Sequence, residues 1–186
     1  MQQYSEQKIK KTSKLMSLLL RHEPQAAQLK LDEEGWVAVD QLIENVSTYF
    51  FTIDFDLLKT VVAQNAKKRF AFSADERKIR ASQGHSIDVK LNMEVLEPPK
   101  ILFHGTASRF LDSILKDGIQ KMGRQHVHLS HQLETAQQVG QRHGKTVVLK
   151  VRSHDMYVNG YTFFRSDNGV WLTDFVPNNF IEVPEV

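Results

Sequence analysis

The sequence has no cysteine among its 186 residues. That absence removes disulfides, thiolate zinc sites and cysteine nucleophiles together, and with them any sign of an oxidising compartment. No apolar run approaches the length of a membrane span. Met1 to Lys14 is polar and basic, without the apolar stretch of a signal peptide. Charge of one sign is scarce, for the formal net charge is only +2. A non-specific nucleic-acid coat draws its affinity from many neutralised phosphates, so any such binding here must rest on a few placed cations. No internal repeat or low-complexity tract is present. A soluble, cytoplasmic, monomeric protein with a real core is the expectation, and the length allows one domain or two small lobes.

The best boundary is Glu97-Pro98-Pro99-Lys100, where two prolines deny the backbone a helix and two amide donors. It separates a lobe over 1–96 from a lobe over 97–186. In the first, a helix is expected from Glu6 to His22, capped by Ser5 and stopped by Pro24. Trp36 to Val39 reads as a short strand, and Asp40 can cap a helix through Val46. A stronger helix follows Asp54, with Phe55, Leu58, Val61 and Val62 at helical spacing. Arg69 to Ala81 alternates around a polar turn at Ala74 to Glu76, a hairpin signal. Three helices followed by a two-stranded wing is a winged-helix order, used both on nucleic acids and as a plain structural module.

The second lobe opens with a strand, Ile101 to Phe103. A helix from Ser108 to Asp117 should bury Phe110, Leu111, Ile114 and Leu115 before Gly118 ends it. Val127 and Leu129 alternate with His126 and His128 in a short strand. Leu133, Ala136 and Val139 make a brief helix, and Thr146 to Val151 is a buried strand. Tyr161 to Phe164 and Val170 to Thr173 flank a hairpin turn at Ser166-Asp167-Asn168-Gly169. This lobe reads as α+β with short strands.

Four segments could carry chemistry, and each has a bland alternative. Arg21-His22 can be helix-terminal cations complementing the dipole, or a phosphate clamp beside a proton donor. Arg80 points away from the core side chain Ile79, and Gln83, Gly84, His85 and Ser86 follow it with polar tips, so this is a solvated wing tip or a binding edge. His104-Gly105-Thr106 follows a buried strand, where a glycine lets a ligand approach the main chain; it can equally be a strand-to-helix turn. Arg124 precedes His126, His128 and Ser130, three polar groups on one strand face. They suit a dinucleotide better than a metal, because no carboxylate in the segment completes a metal site. Gly118 to Gly123 has phosphate-loop glycine spacing, but Arg124-Gln125 replaces the Lys-Ser/Thr pair. No G-x-G-x-x-G opens a βαβ unit, which argues against a Rossmann site.

Taken in order, Arg21-His22, Ile79-Arg80-Ala81-Ser82-Gln83-Gly84-His85-Ser86, His104-Gly105-Thr106 and Arg124-Gln125-His126-Val127-His128-Leu129-Ser130 resemble the NAD⁺-dependent RNA 2′-phosphotransferase family over nearly the whole chain. The resemblance implies an N-terminal winged-helix RNA lobe joined to a C-terminal ADP-ribosyltransferase-like α+β lobe. It implies a catalytic set of Arg21, His22, Arg80 and Arg124. It puts His104, Gly105, Thr106, His126, His128 and Ser130 on NAD⁺, and leaves Gln83, His85 and Ser86 for the RNA. NAD⁺ is then a co-substrate, no metal is required, and the partner is an RNA carrying a 2′-phosphate, tRNA-like.

The implied reaction has two steps. The RNA 2′-phosphate displaces nicotinamide from the ribose carbon. The ribose O2″ then attacks phosphorus, releasing 2′-hydroxyl RNA and ADP-ribose 1″,2″-cyclic phosphate. A phosphomonoester, with a second pKa of about 6, is nearly a dianion at neutral pH and needs orientation more than a base. Arginines suit that task because their forks bind phosphate oxygens bidentately and stay charged. Such a reading requires cations from both lobes to act on one phosphate. Two alternatives stay open: an ADP-ribosyltransferase that stops after the first step, and a non-enzymatic winged-helix binder that senses NAD⁺.

Overall fold

The structure is a computed structural model of the chain and describes residues 4–91, 93–166 and 168–183. It is mixed α/β, with small antiparallel sheets and, among the described residues, six α-helices. The chain divides into two compact units, Met1–Asn92 and Met93–Val186. Val95, Leu96 and Glu97 belong to the second unit: the Leu96 amide donates to the Phe163 carbonyl, and Glu97 pairs with His154.

In the first unit, helices α1 (Glu6–Leu19), α2 (Val39–Tyr49) and α3 (Phe55–Ala63) stand with a three-stranded sheet of β1 (Val37–Ala38), β2 (Phe70–Phe72) and β3 (Lys78–Ala81). The strand order is β1-β3-β2, all antiparallel. Met16, Leu19, Leu42, Leu57, Leu58 and Ile79 are at most 1 % exposed and form its core. Ser5 caps α1 by accepting from the Lys8 amide, and Asp54 caps α3 by accepting from the Leu57 amide, as the sequence suggests. Two details differ. Helix α1 stops at Leu19 instead of His22, because the His22 and Glu23 amides both donate to the Leu18 carbonyl and the chain unwinds into a 3₁₀ turn at Pro24. Helix α2 starts one residue before Asp40, with no side-chain cap; Asp40 adds negative charge to its first turn instead.

The second unit has three small sheets: β4 (Leu102–Ala107), β7 (Thr146–Val151) and β11 (Ile181–Glu182); β6 (Val127–Leu129), β8 (Phe164–Arg165) and β9 (Trp171–Thr173); and the pair β5 (Ile119–Gln120) with β10 (Phe175–Val176). Helices α4 (Leu111–Asp117), α5 (Leu133–Gly140) and α6 (Ser153–Val158) complete it. Leu102, Leu129, Leu149, Met156 and Phe163 lie at its centre. The hairpin at 166–169 closes through Ser166 and Val170 backbone bonds, with Asp167 outside the described residues. Gly118 ends α4 with a positive φ of 78°, its amide donating to the Ile114 carbonyl.

Two expectations for this unit fail. Phe110 and Leu115 are 43 % and 41 % exposed, because the segment starts as a 3₁₀ turn over Ser108–Phe110 before α4, so one helical register never spans it. Strand β4 is longer than Ile101 to Phe103. His104, Gly105 and Thr106 pair with Leu149, Val148 and Val147 of β7, so they lie inside a strand and not in the turn after one. Helix α5 packs on that strand. A Cβ on Gly105 would sit 1.7 Å from the Ala136 carbonyl oxygen, and one on Gly140 2.9 Å from the Thr106 carbonyl oxygen. Two missing side chains thus let helix and strand backbones approach directly. No helix among the described residues is long and apolar enough to cross a membrane.

Candidate active site

The unwinding of α1 after Leu19 determines where Arg21 and His22 go. The Arg21 carbonyl accepts from the Ser86 amide at 2.9 Å, and His22 Nδ1 shares a 2.9 Å hydrogen bond with Ser86 Oγ. The turn after α1 is therefore stitched to the segment after β3. The Arg21 guanidinium donates to the Arg69 carbonyl at 3.4 Å and lies 5.9 Å from the Phe70 ring. Arg80 leaves β3 on the face opposite buried Ile79, and its guanidinium stacks 4.4 Å over the Trp36 ring, a cation–π contact that orients the plane.

His85 sits among these cations. It is 1 % exposed, and neither ring nitrogen has a hydrogen-bond partner among the described residues. Its pKa is lowered to about 4, first by burial and then by the positive charges of Arg21, His22 and Arg80. The Gln83 side-chain oxygen is likewise buried without a partner among the described residues. Arg21, His22, Arg80, Gln83, His85 and Ser86, separated in sequence by up to 65 positions, thus form one cluster in the first unit.

The buried neutral imidazole has a measurable consequence. An unfolded histidine titrates near 6.5 and the folded one near 4, so between those values the unfolded chain binds more protons. The stability tied to this difference is complete above pH 6.5 and is lost as pH falls toward 4. Urea unfolding of the wild type should lose roughly 2–3 kcal/mol more than His85→Gln between pH 7 and 4.5. Parallel pH profiles for the two proteins would refute a buried neutral His85.

The second unit gathers a smaller cluster. Phe103 and Ser130 exchange backbone hydrogen bonds, both 2.8 Å, tying β4 to the end of β6. This sets the His104 ring against the His128 carbonyl, to which Nδ1 donates at 3.1 Å. Because a carbonyl only accepts, Nδ1 carries the proton and Nε2 keeps its lone pair. Arg124 Nη1 donates to His128 Nδ1 at 3.0 Å, so the His128 proton resides on Nε2. Burial holds the His104 pKa down, against the raising effect of its hydrogen bond to the His128 carbonyl, and the Arg124 charge adds to the lowering. Partial desolvation of its guanidinium and the nearby Arg142 charge pull Arg124 below its ordinary value, although the residue as a whole stays exposed.

The remaining residues singled out from sequence are placed less centrally. The His126 ring packs edge-on against Phe164, 5.7 Å between centroids, and burial lowers its pKa. The Ser130 hydroxyl donates to the Gln132 carbonyl and accepts from the Gln132 amide, fastening the entry to α5. Thr106 is 6 % exposed, and the bare face of Gly105 is turned to α5. Trp36 and Arg142 bear on the two clusters although neither stands in a motif. Only a strand register and a fold-level approach bring them there, which no local pattern signals.

The motifs that hold these clusters also define a family. The model of the "RNA 2′-phosphotransferase, Tpt1 / KptA family" matches residues 7–175. Curated relatives carrying the name "Probable RNA 2′-phosphotransferase" include one from Flavobacterium johnsoniae, 53 % identical over 93 % of this chain and 95 % of its own length. Those from Fusobacterium nucleatum and Pseudomonas fluorescens are each 50 % identical, over 92 % and 96 % of this chain and 97 % and 98 % of theirs. With both clusters inside the matched span and similarity running nearly end to end, the chain belongs to the RNA 2′-phosphotransferase family.

Proposed function

We propose that this protein transfers an internal RNA 2′-phosphate to NAD⁺, giving 2′-hydroxyl RNA, nicotinamide and ADP-ribose 1″,2″-cyclic phosphate through a 2′-phospho-ADP-ribosylated RNA. One observation carries the reading: in a chain of this family, the turn that bears Arg21 and His22 is hydrogen-bonded to Ser86, on the segment that follows Arg80 of β3 and holds buried His85. Two guanidiniums and an imidazole gathered at one place favour an anion with several oxygens. The order of three helices and a hairpin in the first unit supports a winged-helix lobe for the RNA. The short antiparallel strands of the second support an ADP-ribosyltransferase-like lobe for NAD⁺.

The second cluster suits a dinucleotide. His104 Nε2 offers an acceptor for a ribose hydroxyl, while His128 Nε2–H and Arg124 offer donors for diphosphate or ribose oxygens. We assign ligand contact to these three, and to Gly105 and Thr106 the seating of the strand that bears His104. Arg21 and Arg80 in the first unit, and Arg124 in the second, are each assigned a part in the phosphate chemistry. Neutral His85 and Gln83 are left to orient the RNA beside the cations, with Ser86 steering His22. His22 is exposed, which lets it take and return protons, and we assign it the proton delivered to the departing RNA 2′-oxygen in the second step. General-acid help of this kind is worth about 10²- to 10⁴-fold.

The deciding experiment incubates a short 2′-phosphorylated RNA with and without NAD⁺ and weighs the products. NAD⁺-dependent 2′-hydroxyl RNA with cyclic-phosphate ADP-ribose is expected. A stable adduct as end product would favour transfer that stops at the first step, and NAD⁺ binding without consumption would favour a non-enzymatic binder. His22→Ala should accumulate the ADP-ribosylated RNA. Failure of this variant to release nicotinamide would move its role to the first step.

A further inference from the structure

The small net charge of the chain hides a sharp segregation. Between Gln7 and His22, and again between Leu57 and Ser73, there are nine lysines and arginines and no aspartate or glutamate. The two stretches are brought side by side. Asn65 Nδ2 donates to Ser13 Oγ at 3.3 Å, and Arg21 donates to the Arg69 carbonyl. The loop between α3 and β2 therefore runs along the C-terminal half of α1 and ends at the Arg21 cluster.

Helical spacing sorts the lysines of α1. At 100° per residue, Lys10, Lys14 and Ser17 fall in one stripe of α1, and the C-terminal end of that helix leads into the unwound turn that bears Arg21. That stripe is opposite the buried face of Thr12, Met16 and Leu19. Lys8 and Lys11 instead lean on the Tyr4 and Phe51 rings, with 5.4 and 4.3 Å to their centroids. Lys10, Lys14 and, on the adjoining loop, Lys68 are exposed. Lys68 has a φ of 41°, a conformation that costs a non-glycine residue about 1 kcal/mol or more and so is unusual for a plain connecting loop. From Lys10 to Leu20 the helix axis spans about 15 Å, a length to which a few nucleotides of single-stranded backbone can lie parallel.

We propose that the stripe Lys10–Lys14, with Lys68 beside it, is a phosphate track that holds the RNA strand flanking the 2′-phosphorylated nucleotide as it leaves the Arg21 cluster. The inference rests on the reading of that cluster as the 2′-phosphate site. A polyanion is favoured over a protein surface because Lys10 and Lys14 are exposed on the face of α1 opposite its buried side, with Leu18 36 % exposed at the edge of that stripe, and the helix that bears them runs into the Arg21 turn, where the strand is already anchored. The track predicts length-dependent recognition. A 2′-phosphorylated dinucleotide gains nothing from it, while a longer single strand gains one phosphate contact per lysine.

The test compares the wild type with the triple variant Lys10→Gln/Lys14→Gln/Lys68→Gln, after matching their melting curves. Turnover is measured on a 2′-phosphorylated dinucleotide and on a twelve-nucleotide RNA with one internal 2′-phosphate. The variant should keep the dinucleotide kinetics and raise the KM of the longer RNA about tenfold. The salt dependence of its binding to the same RNA without the 2′-phosphate should flatten, the log–log slope falling by about 2 for three lost contacts on a single strand. Equal KM changes on both substrates, or an unchanged salt slope, would overturn the track. So would loss of affinity for anionic phosphatidylglycerol vesicles with RNA binding intact. If the wild type turns over neither substrate, the reaction reading falls, and the salt slope alone still decides the track.

Discussion

Arg80→Lys should cost roughly 10²- to 10³-fold in turnover of a 2′-phosphorylated RNA while leaving the fold in place. Charge is conserved by this change, so the loss isolates what the guanidinium plane contributes. Arg80 is held on β3 opposite Ala71 of β2, and its plane rests on Trp36. A lysine ammonium is a compact point charge without the fork that meets two phosphate oxygens at once, and it does not stack flat on an indole. Because attraction for the dianion survives, KM should move less than kcat. Arg124→Lys should behave alike for a second reason, since it also removes the fixed donor to His128 Nδ1. Steady-state kinetics with melting curves as the control settle both. Near-normal turnover in either variant would remove the bidentate clamp from the mechanism.

Gly105→Ala should destabilise the second unit by about 3 kcal/mol, although alanine is small and the position lies in a regular strand. The added methyl would sit 1.7 Å from the Ala136 carbonyl oxygen and 2.6 Å from its carbon. Both atoms are backbone of α5, so no side chain can rotate aside. The helix must lift from β4, and Gly140, whose own Cβ would meet the Thr106 carbonyl oxygen, prevents a compensating slide. Gly123→Ala supplies the control, because nothing lies within 4 Å of its added methyl. Urea unfolding followed by a second-unit probe such as Trp171 fluorescence measures the difference. Equal stability of the two variants would show that α5 does not rest on β4 as described.

Gly105 also shows how a residue that stands out in a motif can have a packing role that the motif does not signal. His104-Gly105-Thr106 stands out in the sequence, and a glycine beside polar residues suggests room for a ligand. The structure turns the side on which a Cβ would stand toward helix α5. Nothing local reveals this, because the contact is made with residues about thirty positions away. The burial expected of Phe110 and Leu115 fails for a related reason: α-helical periodicity does not reach back through Ser108–Phe110, where a 3₁₀ turn changes the register. Arg21 and His22 were legible as a pair, yet their place in an unwound turn depends on Ser86, 64 positions beyond His22.

What the sequence determined by itself is whatever depends on neighbours a few residues apart. Capping by Ser5 and Asp54, the alternation of Val127 and Leu129, the 166–169 hairpin and the order of the motifs are of that kind, since caps, periodicity and turns are short-range effects. The tertiary structure alone decided the close seat of α5 on Gly105, the stacking of Arg80 on Trp36, the isolation of His85 and the alignment of two lysine-bearing segments. Each of these depends on burial and on electrostatics between residues far apart in the chain, and the energy of such contacts is defined only once the fold has set their distances.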